Sequence, residues 1–216
     1  MLYALTDISK FTEEDLQKSI PLLSEQRLQK VQRYRFFKDK RLSACAFLLL
    51  RYALQKESQI FEVPELEFGK FGKPFLKNTS KVHFNLSHTS GGIVCGISDA
   101  EIGVDIADKD PKNLDCVQSA LHPEELKEVQ HSSNPAATFA RFWALKESFL
   151  KFTGTGIGTN LPEINYSHHP ENQFLYRNQQ MQVFDQKETV ICSCSHHLEE
   201  LKFLSPKDLL QIFQRN

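Results

Sequence analysis

The chain has 216 residues, 40% hydrophobic and 25% charged, with 17 Phe but only 9 Gly and 9 Pro. That composition excludes disorder, collagen-like repeats and coiled coil as the main architecture, and the length suits one large domain or two small ones. Its 26 basic and 27 acidic residues leave a formal net charge of −1, so no global field draws it to nucleic acid or a membrane surface.

At the N-terminus, Asp7 and the lack of a basic region argue against a cleaved leader. Residues 12–20 read as a helix that Pro21 ends. From Ser24 to Lys56 there is no Pro or Gly, and Leu28, Val31, Leu42, Cys45, Leu49 and Ala53 keep helical spacing, which predicts one or two helices. The longest apolar run, 46–50, stops at Arg51 and is too short to span a bilayer. Residues 60–80 are punctuated by Pro64, Gly69, Gly72 and Pro74 and read as loop.

The period then changes to two. Val82, Phe84 and Leu86 face one way and His83, Asn85 and Ser87 the other; after a turn at 88–92, strands are predicted at 93–98 and 101–106. The three strands read as a β-meander, with Asp105 near a strand end on the face away from Ile102, Val104 and Ile106. Residues 122–130 open with His122-Pro123-Glu124-Glu125, a helix start. A longer helix is expected over 136–152, stopped by Gly154, then strand-like runs such as 190–195 and a small helix at 206–213. The absence of a βαβ rhythm makes the fold class α+β, with a boundary near residue 100 dividing 1–100 from 101–216.

The 136–152 helix is the most informative segment. At about 100° per residue, Phe142, Leu145, Phe149 and Phe152 form a buried stripe, while Trp143, Glu147, Leu150 and Lys151 fall opposite. Glu147 and Lys151, with Lys146 beside them, read by themselves as an ordinary surface pair. The flanking Trp and Leu point instead to a second packed surface, such as a cleft wall. Asp105, in an otherwise apolar strand, is either a turn or cap residue or a carboxylate held by something positive. With Glu147 it would make a two-carboxylate site for Mg²⁺, which takes its other ligands from water and substrate phosphates. Between Arg27 and Arg51 eight basic residues face one acid, Asp39, a solvated face or a surface for an anionic ligand. Gly72-Lys73-Pro74 presents a lysine on a rigid turn, and Ser87-His88 closes a strand with two hydrogen-bonding side chains.

Five cysteines (45, 95, 116, 192 and 194) form an odd set without framework spacing, which suits reduced thiols in a cytoplasm. Cys192-Ser-Cys194-Ser-His196-His197 lacks the spacing of a structural zinc site, and alternation places both cysteines on one strand face. Gly154-Thr-Gly156-Ile-Gly158 follows a helix and lacks the Lys-Ser/Thr ending of a phosphate loop, so it reads as a helix cap and turn.

Together these segments resemble the 4′-phosphopantetheinyl transferases, in their longer, surfactin-synthetase-type branch. The matching motifs are Gly72-Lys73-Pro74, Phe84-Asn85-Leu86-Ser87-His88, Ile102-Gly103-Val104-Asp105 and Phe142-Trp143-Ala144-Leu145-Lys146-Glu147-Ser148-Phe149-Leu150-Lys151, in the family's order. Leu121-His122-Pro123-Glu124-Glu125 and Arg33-Tyr34-Arg35-Phe36 are similar to two further family segments, so the resemblance spans roughly residues 27–158.

The resemblance implies two similar α/β subdomains forming a pseudo-dimer within one chain, a monomer with coenzyme A bound between the halves. It implies transfer of phosphopantetheine from coenzyme A to a serine of an apo acyl, peptidyl or aryl carrier protein, releasing 3′,5′-ADP. Asp105 and Glu147 would hold Mg²⁺; Glu147, directly or through water, would be the base; Lys151 would contact the transferring phosphate. Lys73, Ser87, His88 and Arg41 would contact the nucleotide end, with Trp143 shaping the cleft. The chain departs from the family where many members carry a second acid: that position is Ala107, leaving water or Asp108 to substitute. Leu42 also occupies the expected place of a basic residue, with Arg41 before it. Competing readings are a Mg²⁺-dependent phosphodiesterase or hydrolase, which needs no acceptor protein, and a non-catalytic coenzyme-A-binding module.

Overall fold

The structure is a computed structural model describing residues 1–110, 112, 114, 117–156 and 161–211. The first half runs through β1 (Leu2–Leu5), α1 (Glu13–Ser19), α2 (Glu25–Arg33), α3 (Phe37–Ser58), the hairpin strands β2 (Leu66–Phe68) and β3 (Pro74–Leu76), then β4 (His83–His88) and β5 (Ile93–Ser98). The second half contains β6 (Ile102–Asp108), α4 (Val117–Ala120), α5 (Pro123–His131), α6 (Pro135–Thr153), β7 (Gln173–Tyr176), β8 (Gln179–Asp185) and β9 (Thr189–Ser195). The described chain closes with β10 (Leu201–Phe203) and α7 (Pro206–Gln211). The expected helix at 206–213 is thus seen to Gln211, its last two positions lying outside the described residues, as do Cys116 and residues 157–158 of the glycine-rich segment.

Local chemistry explains the boundaries. Thr12 caps α1 with a reciprocal box: its hydroxyl accepts from Asp15 N at 3.1 Å while the Asp15 carboxylate accepts from Thr12 N at 2.9 Å. Ser24 caps α2 in the same sense, accepting from Arg27 N at 3.1 Å. The Pro- and Gly-free stretch from Ser24 holds two helices rather than one, because Tyr34 and Phe36 are extended, with ψ of 134° and 140°. The loop expected at 60–80 contains a short hairpin, β2–β3, turned by Gly72 at φ 81°, a backbone angle glycine adopts without strain.

Two four-stranded sheets carry the molecule, with orders β10-β1-β5-β4 and β6-β9-β8-β7. The predicted meander breaks after β5. β4 and β5 pair antiparallel, but β6 leaves for the second sheet and pairs with β9. The reason is burial: Ile102 through Ala107 are buried on both faces, so β6 needs a layer on each side rather than a solvated face. One layer is the first sheet, whose Leu2, Ala4 and Val94 share a core with Ile102, Val104 and Ile106 of β6. The other is α6.

On the outer face of the first sheet lies α3, with Phe47, Leu48, Leu49 and Leu54 buried in one core. On the outer face of the second lies α6, with Phe142, Leu145 and Phe149 in another. The stack is therefore helix, sheet, sheet, helix, an α+β arrangement of two sheet-containing halves. Residues 201–211 cross back over the 100/101 division: β10 pairs parallel with β1, and Leu209 joins the α3 core. Among the described residues no helix is long and apolar enough to cross a membrane.

Candidate active site

The site is built where α6 crosses β6. Asn134 starts the helix by accepting from Ala137 N at 3.2 Å, Pro135 takes its first position, and Gly154 stops it at φ 67°. Strand alternation turns Gly103, Asp105 and Ala107 toward the helix and Ile102, Val104 and Ile106 toward the first sheet. A Cβ on Gly103 would collide with the backbone of Ser148 and Phe152, so this glycine sets how closely α6 approaches. Two positions along the strand, Asp105 then meets the helical turn from Glu147 to Lys151. Asn85 ties the layers from the other side, accepting from Val104 N at 2.9 Å. Asn85 and Ser87, on the polar face of the expected strand, are buried because that face meets β6.

Asp105, Glu147, Lys151 and Ser87 come together. Lys151 Nζ lies 2.6 Å from Asp105 Oδ1 and donates to Ser87 Oγ at 2.9 Å, while Ser87 Oγ donates to the same Asp105 oxygen at 2.6 Å. The other carboxylate oxygen, Asp105 Oδ2, is buried without a hydrogen-bond partner, and so is Glu147 Oε1. Burial raises the Asp105 carboxyl above the usual carboxylate range against the pull of Lys151 and Ser87. Burial, and after it the Asp105 charge, raises Glu147. Two neighbouring buried carboxylates with unpartnered oxygens are short of positive charge, since one ammonium serves both. That shortage fits a hard divalent cation such as Mg²⁺, for which Asp105 and Glu147 could supply oxygen ligands. No group of three or more His, Cys, Asp or Glu converges among the described residues. Asp108 does not fill the place of the missing acid at Ala107. It accepts from the Thr89 and Ser90 hydroxyls at 2.6 and 2.7 Å and from Gly91 N at 3.2 Å, which commits it to the β4–β5 turn.

Clefts open on both sides of this network. One, of about 640 Å³, is walled by His88, Ala107, Phe139 and Trp143; the other, of about 380 Å³, by Phe71, Lys73, Leu86 and Leu150, and Glu147 and Lys151 reach both. Desolvation at the cleft wall, then the charges of Lys151, Lys30 and Arg27, hold His88 below its ordinary value, so it is neutral at pH 7. Lys30 and Arg27 line neither cleft; with Arg33 they line a separate groove between α2 and β2. Arg41 also lines neither cleft, donates to Ser9 O at 3.1 Å and lies over the Phe37 ring. Its helical position points toward the segment before α1, which composition alone could not reveal. Lys73 lines the smaller cleft, but its ammonium is engaged by Glu101 at 2.6 Å.

Lys146, beside Glu147, is not part of a surface pair. It is fully buried with Glu125, 2.7 Å away, and donates to Ala120 O, Leu161 O and Ile164 O at 3.0, 2.9 and 2.7 Å. Glu125 in turn accepts from His122 N and Tyr166 N, both at 2.9 Å. This pair fixes α6 to the start of α5 and the 161–166 segment. The capping signature at 122–125 carried a sign of Glu125, but nothing local connected it to Lys146. Cys192 and Cys194 lie in the core against α6 as free thiols, and burial pushes Cys194 up to about 12, which leaves it inert.

Comparison with known proteins agrees with this geometry. Residues 101–204 match the model of the 4′-phosphopantetheinyl transferase superfamily, and residues 10–100 that of the 4′-phosphopantetheinyl transferase N-terminal family. The chain belongs to the 4′-phosphopantetheinyl transferase superfamily. Within it, the chain is 31% identical over 160 residues to the 4′-phosphopantetheinyl transferase psf-1 of Bacillus pumilus, covering 70% of this chain and 66% of that protein. It is 22% identical over 176 residues to the transferase Sfp of Bacillus subtilis, covering 80% and 78%, which sets it with the Sfp-like branch. A third relative, the L-aminoadipate-semialdehyde dehydrogenase-phosphopantetheinyl transferase of Saccharomyces cerevisiae, is 29% identical over 169 residues, covering 73% and 61%. The chain thus spans about two thirds of the length of several relatives it matches.

Proposed function

We propose that this protein moves the 4′-phosphopantetheine group of coenzyme A onto a serine hydroxyl of an apo carrier protein and releases 3′,5′-ADP. The observation that carries the reading is the pair of buried carboxylates, Asp105 and Glu147, each with an unpartnered oxygen beside Lys151 and between two clefts. A pyrophosphate linkage attacked by a hydroxyl needs a group to take the proton and positive charge on the phosphate oxygens.

In the reaction the serine oxygen forms a bond to the β-phosphorus of coenzyme A, and the bond from that phosphorus to the oxygen shared with 3′,5′-ADP breaks. Glu147 takes the serine proton, directly or through water, a role its burial favours by making the carboxylate more basic. Lys151, a turn further along α6, donates to the transferring phosphate when it leaves Ser87 and Asp105. Asp105 and Glu147 would hold Mg²⁺, which would supply charge neutralisation on the pyrophosphate. Ser87 orients both Lys151 and Asp105 through its two short hydrogen bonds. The apolar walls of the smaller cleft suit the adenine ring, and His88 and Lys151 in the larger one suit the phosphates. The free, buried thiols of Cys45, Cys95, Cys192 and Cys194 fit a reducing compartment such as a cytoplasm, where the protein is proposed to work as a monomer.

The test is intact-mass spectrometry of an apo carrier protein incubated with this protein, coenzyme A and Mg²⁺, with and without chelator. A chelator-sensitive gain of one phosphopantetheine on the carrier serine is expected. Coenzyme A cleaved with no gain on any of several carriers would replace this reading with a hydrolase.

A further inference from the structure

The turn between β4 and β5 belongs to the first half, yet a residue of the second half holds its side chains. Asp108 closes β6, three residues beyond Asp105, and lies opposite Thr189 in the β9 register. Its Oδ1 accepts from Thr89 Oγ1 and Gly91 N, and its Oδ2 from Ser90 Oγ. Both hydroxyl bonds, at 2.6 and 2.7 Å, have the short lengths of charge-assisted bonds to a carboxylate. The Thr89 hydroxyl also accepts from Gly91 N at 3.0 Å, and Thr89 N donates to Gly92 O at 2.9 Å, so the turn closes on itself around the carboxylate. The fit is close. A Cβ on Gly91 would lie 2.6 Å from Asp108 Oδ1 and 2.8 Å from Thr189 Cγ2, inside contact distance for either. The same stretch supplies His88, Thr89 and Ser90 to the wall of the larger cleft, which Asp105, Ala107 and Trp143 complete from the other half. Asp108 therefore ties the two halves together along that wall.

We propose that Asp108 is a positioning residue for coenzyme binding: it latches the β4–β5 turn onto the strand that carries Asp105 and so fixes the wall in which His88 stands. The inference rests on the transferase reading and goes beyond its motifs, which end at Asp105 in this strand. A carboxylate in the wall of a cleft that takes phosphates can act on them directly only by repulsion, so removing a bare charge would tighten binding. Removing a latch loosens the wall and weakens binding. A carboxylate that ligated the cation would instead lose Mg²⁺ together with turnover. The three roles are separable at one residue.

The experiment measures coenzyme A affinity by calorimetry in chelator, and transfer kinetics with Mg²⁺, for Asp108→Asn, Asp108→Ala, the double Thr89→Val/Ser90→Ala and the triple combination with Asp108→Ala. Asp108→Ala is expected to weaken coenzyme A binding and raise its KM about tenfold, the scale of a lost charge-assisted hydrogen bond. Asp108→Asn keeps one acceptor oxygen, so it should show about a threefold effect, and it carries the test if Asp108→Ala folds poorly. In both, kcat and the Mg²⁺ concentration for half-maximal rate stay within about twofold, as for a loss confined to binding. Removing both hydroxyls reproduces the Asp108→Ala effect, and the triple variant is no worse than Asp108→Ala. Tighter binding in Asp108→Asn would overturn the proposal by leaving only a repelling charge. A fall in kcat with a raised Mg²⁺ requirement would overturn it in favour of a metal ligand. Unchanged affinity with only a lower melting temperature would reduce the latch to a fold contact and overturn it too. In each of those cases wild-type protein that transfers normally keeps the transferase reading. Wild-type protein that neither binds coenzyme A nor modifies a carrier removes both.

Discussion

The two halves of the molecule each lay one long helix across one sheet, and they fill the contact differently. The α3 interface is apolar, built from Ala44, Phe47, Leu48, Leu49, Ala53 and Leu54. Its one buried charge, Arg51, satisfies backbone carbonyls of Leu22 and Phe61. In α6 three successive residues, Lys146, Glu147 and Ser148, are buried. Burying such groups is costly unless every one is partnered. Lys146 is partnered fully, by Glu125 and three carbonyls, whereas Glu147 keeps an orphan oxygen. The difference separates two states of a buried charge: a satisfied one fixes a helix, and an unsatisfied one leaves an oxygen open to a ligand.

The sharpest way to break this comparison is at the unsatisfied pair. Asp105→Ala and Glu147→Gln should each lower carrier modification about 10³-fold or more, the scale of losing charge stabilisation in the transition state. Both should keep a wild-type far-ultraviolet circular dichroism spectrum. Turnover near wild type in either would detach the carboxylates from the chemistry. Next in size is the satisfied pair. Lys146→Ala should cost about 3–5 kcal/mol in denaturant unfolding, because Glu125 is left as an uncompensated buried charge. Leu49→Ala, its counterpart in α3, should cost about 2–5 kcal/mol through a cavity. Replacing Lys146 and Glu125 together by apolar residues should recover most of the first loss and none of the second.

A smaller effect concerns pH. Glu147 is raised in the folded state, so without a cation the native protein holds its proton more tightly than the unfolded chain does. The Glu147 contribution to stability should therefore be fully present below the ordinary carboxylate range and be lost as pH rises through the window up to the raised folded value. At neutral pH in chelator, Glu147→Gln should be more stable than wild type by about 1 kcal/mol, and Mg²⁺ should stabilise wild type more than the variant. A melting temperature equally insensitive to Mg²⁺ in both would remove the cation from this site. The smallest effect is expected at Arg41, which lines neither cleft. Arg41→Ala should leave KM for coenzyme A within about twofold, as for a surface position outside the site. A large rise would put the α3 start back in the nucleotide's path.

Much of this was readable along the chain because it depends on near neighbours. Thr12, Ser24, Asn134 and Gly154 mark helix ends by bonds and backbone angles spanning a few residues. Alternation placed Asp105 on the face opposite Ile102, Val104 and Ile106, and the order of the motifs named the family that the comparisons show. The motif residues Ser87, Asp105, Glu147 and Lys151 do meet. Where the reading went astray, the missing information was long-range. The meander failed because a turn at 99–100 looks the same whether the next strand pairs with the last one or starts a new sheet. Arg41 lies off both clefts, because a charge run does not say which way each helical turn faces.

The amino-acid sequence by itself determined the α+β class, the positions of the main helices and strands, and the four motifs that make this a 4′-phosphopantetheinyl transferase family member. These follow from periodicity, capping and residue order, all local properties of the chain. Only the tertiary structure decided that β6 lies between a sheet and a helix and that Gly103 admits α6 to its surface. It also decided that Lys146 belongs to Glu125 and Lys73 to Glu101. Those pairings join residues 21 and 28 positions apart, and their partners are selected by which backbone and side-chain groups are left without water once the layers close.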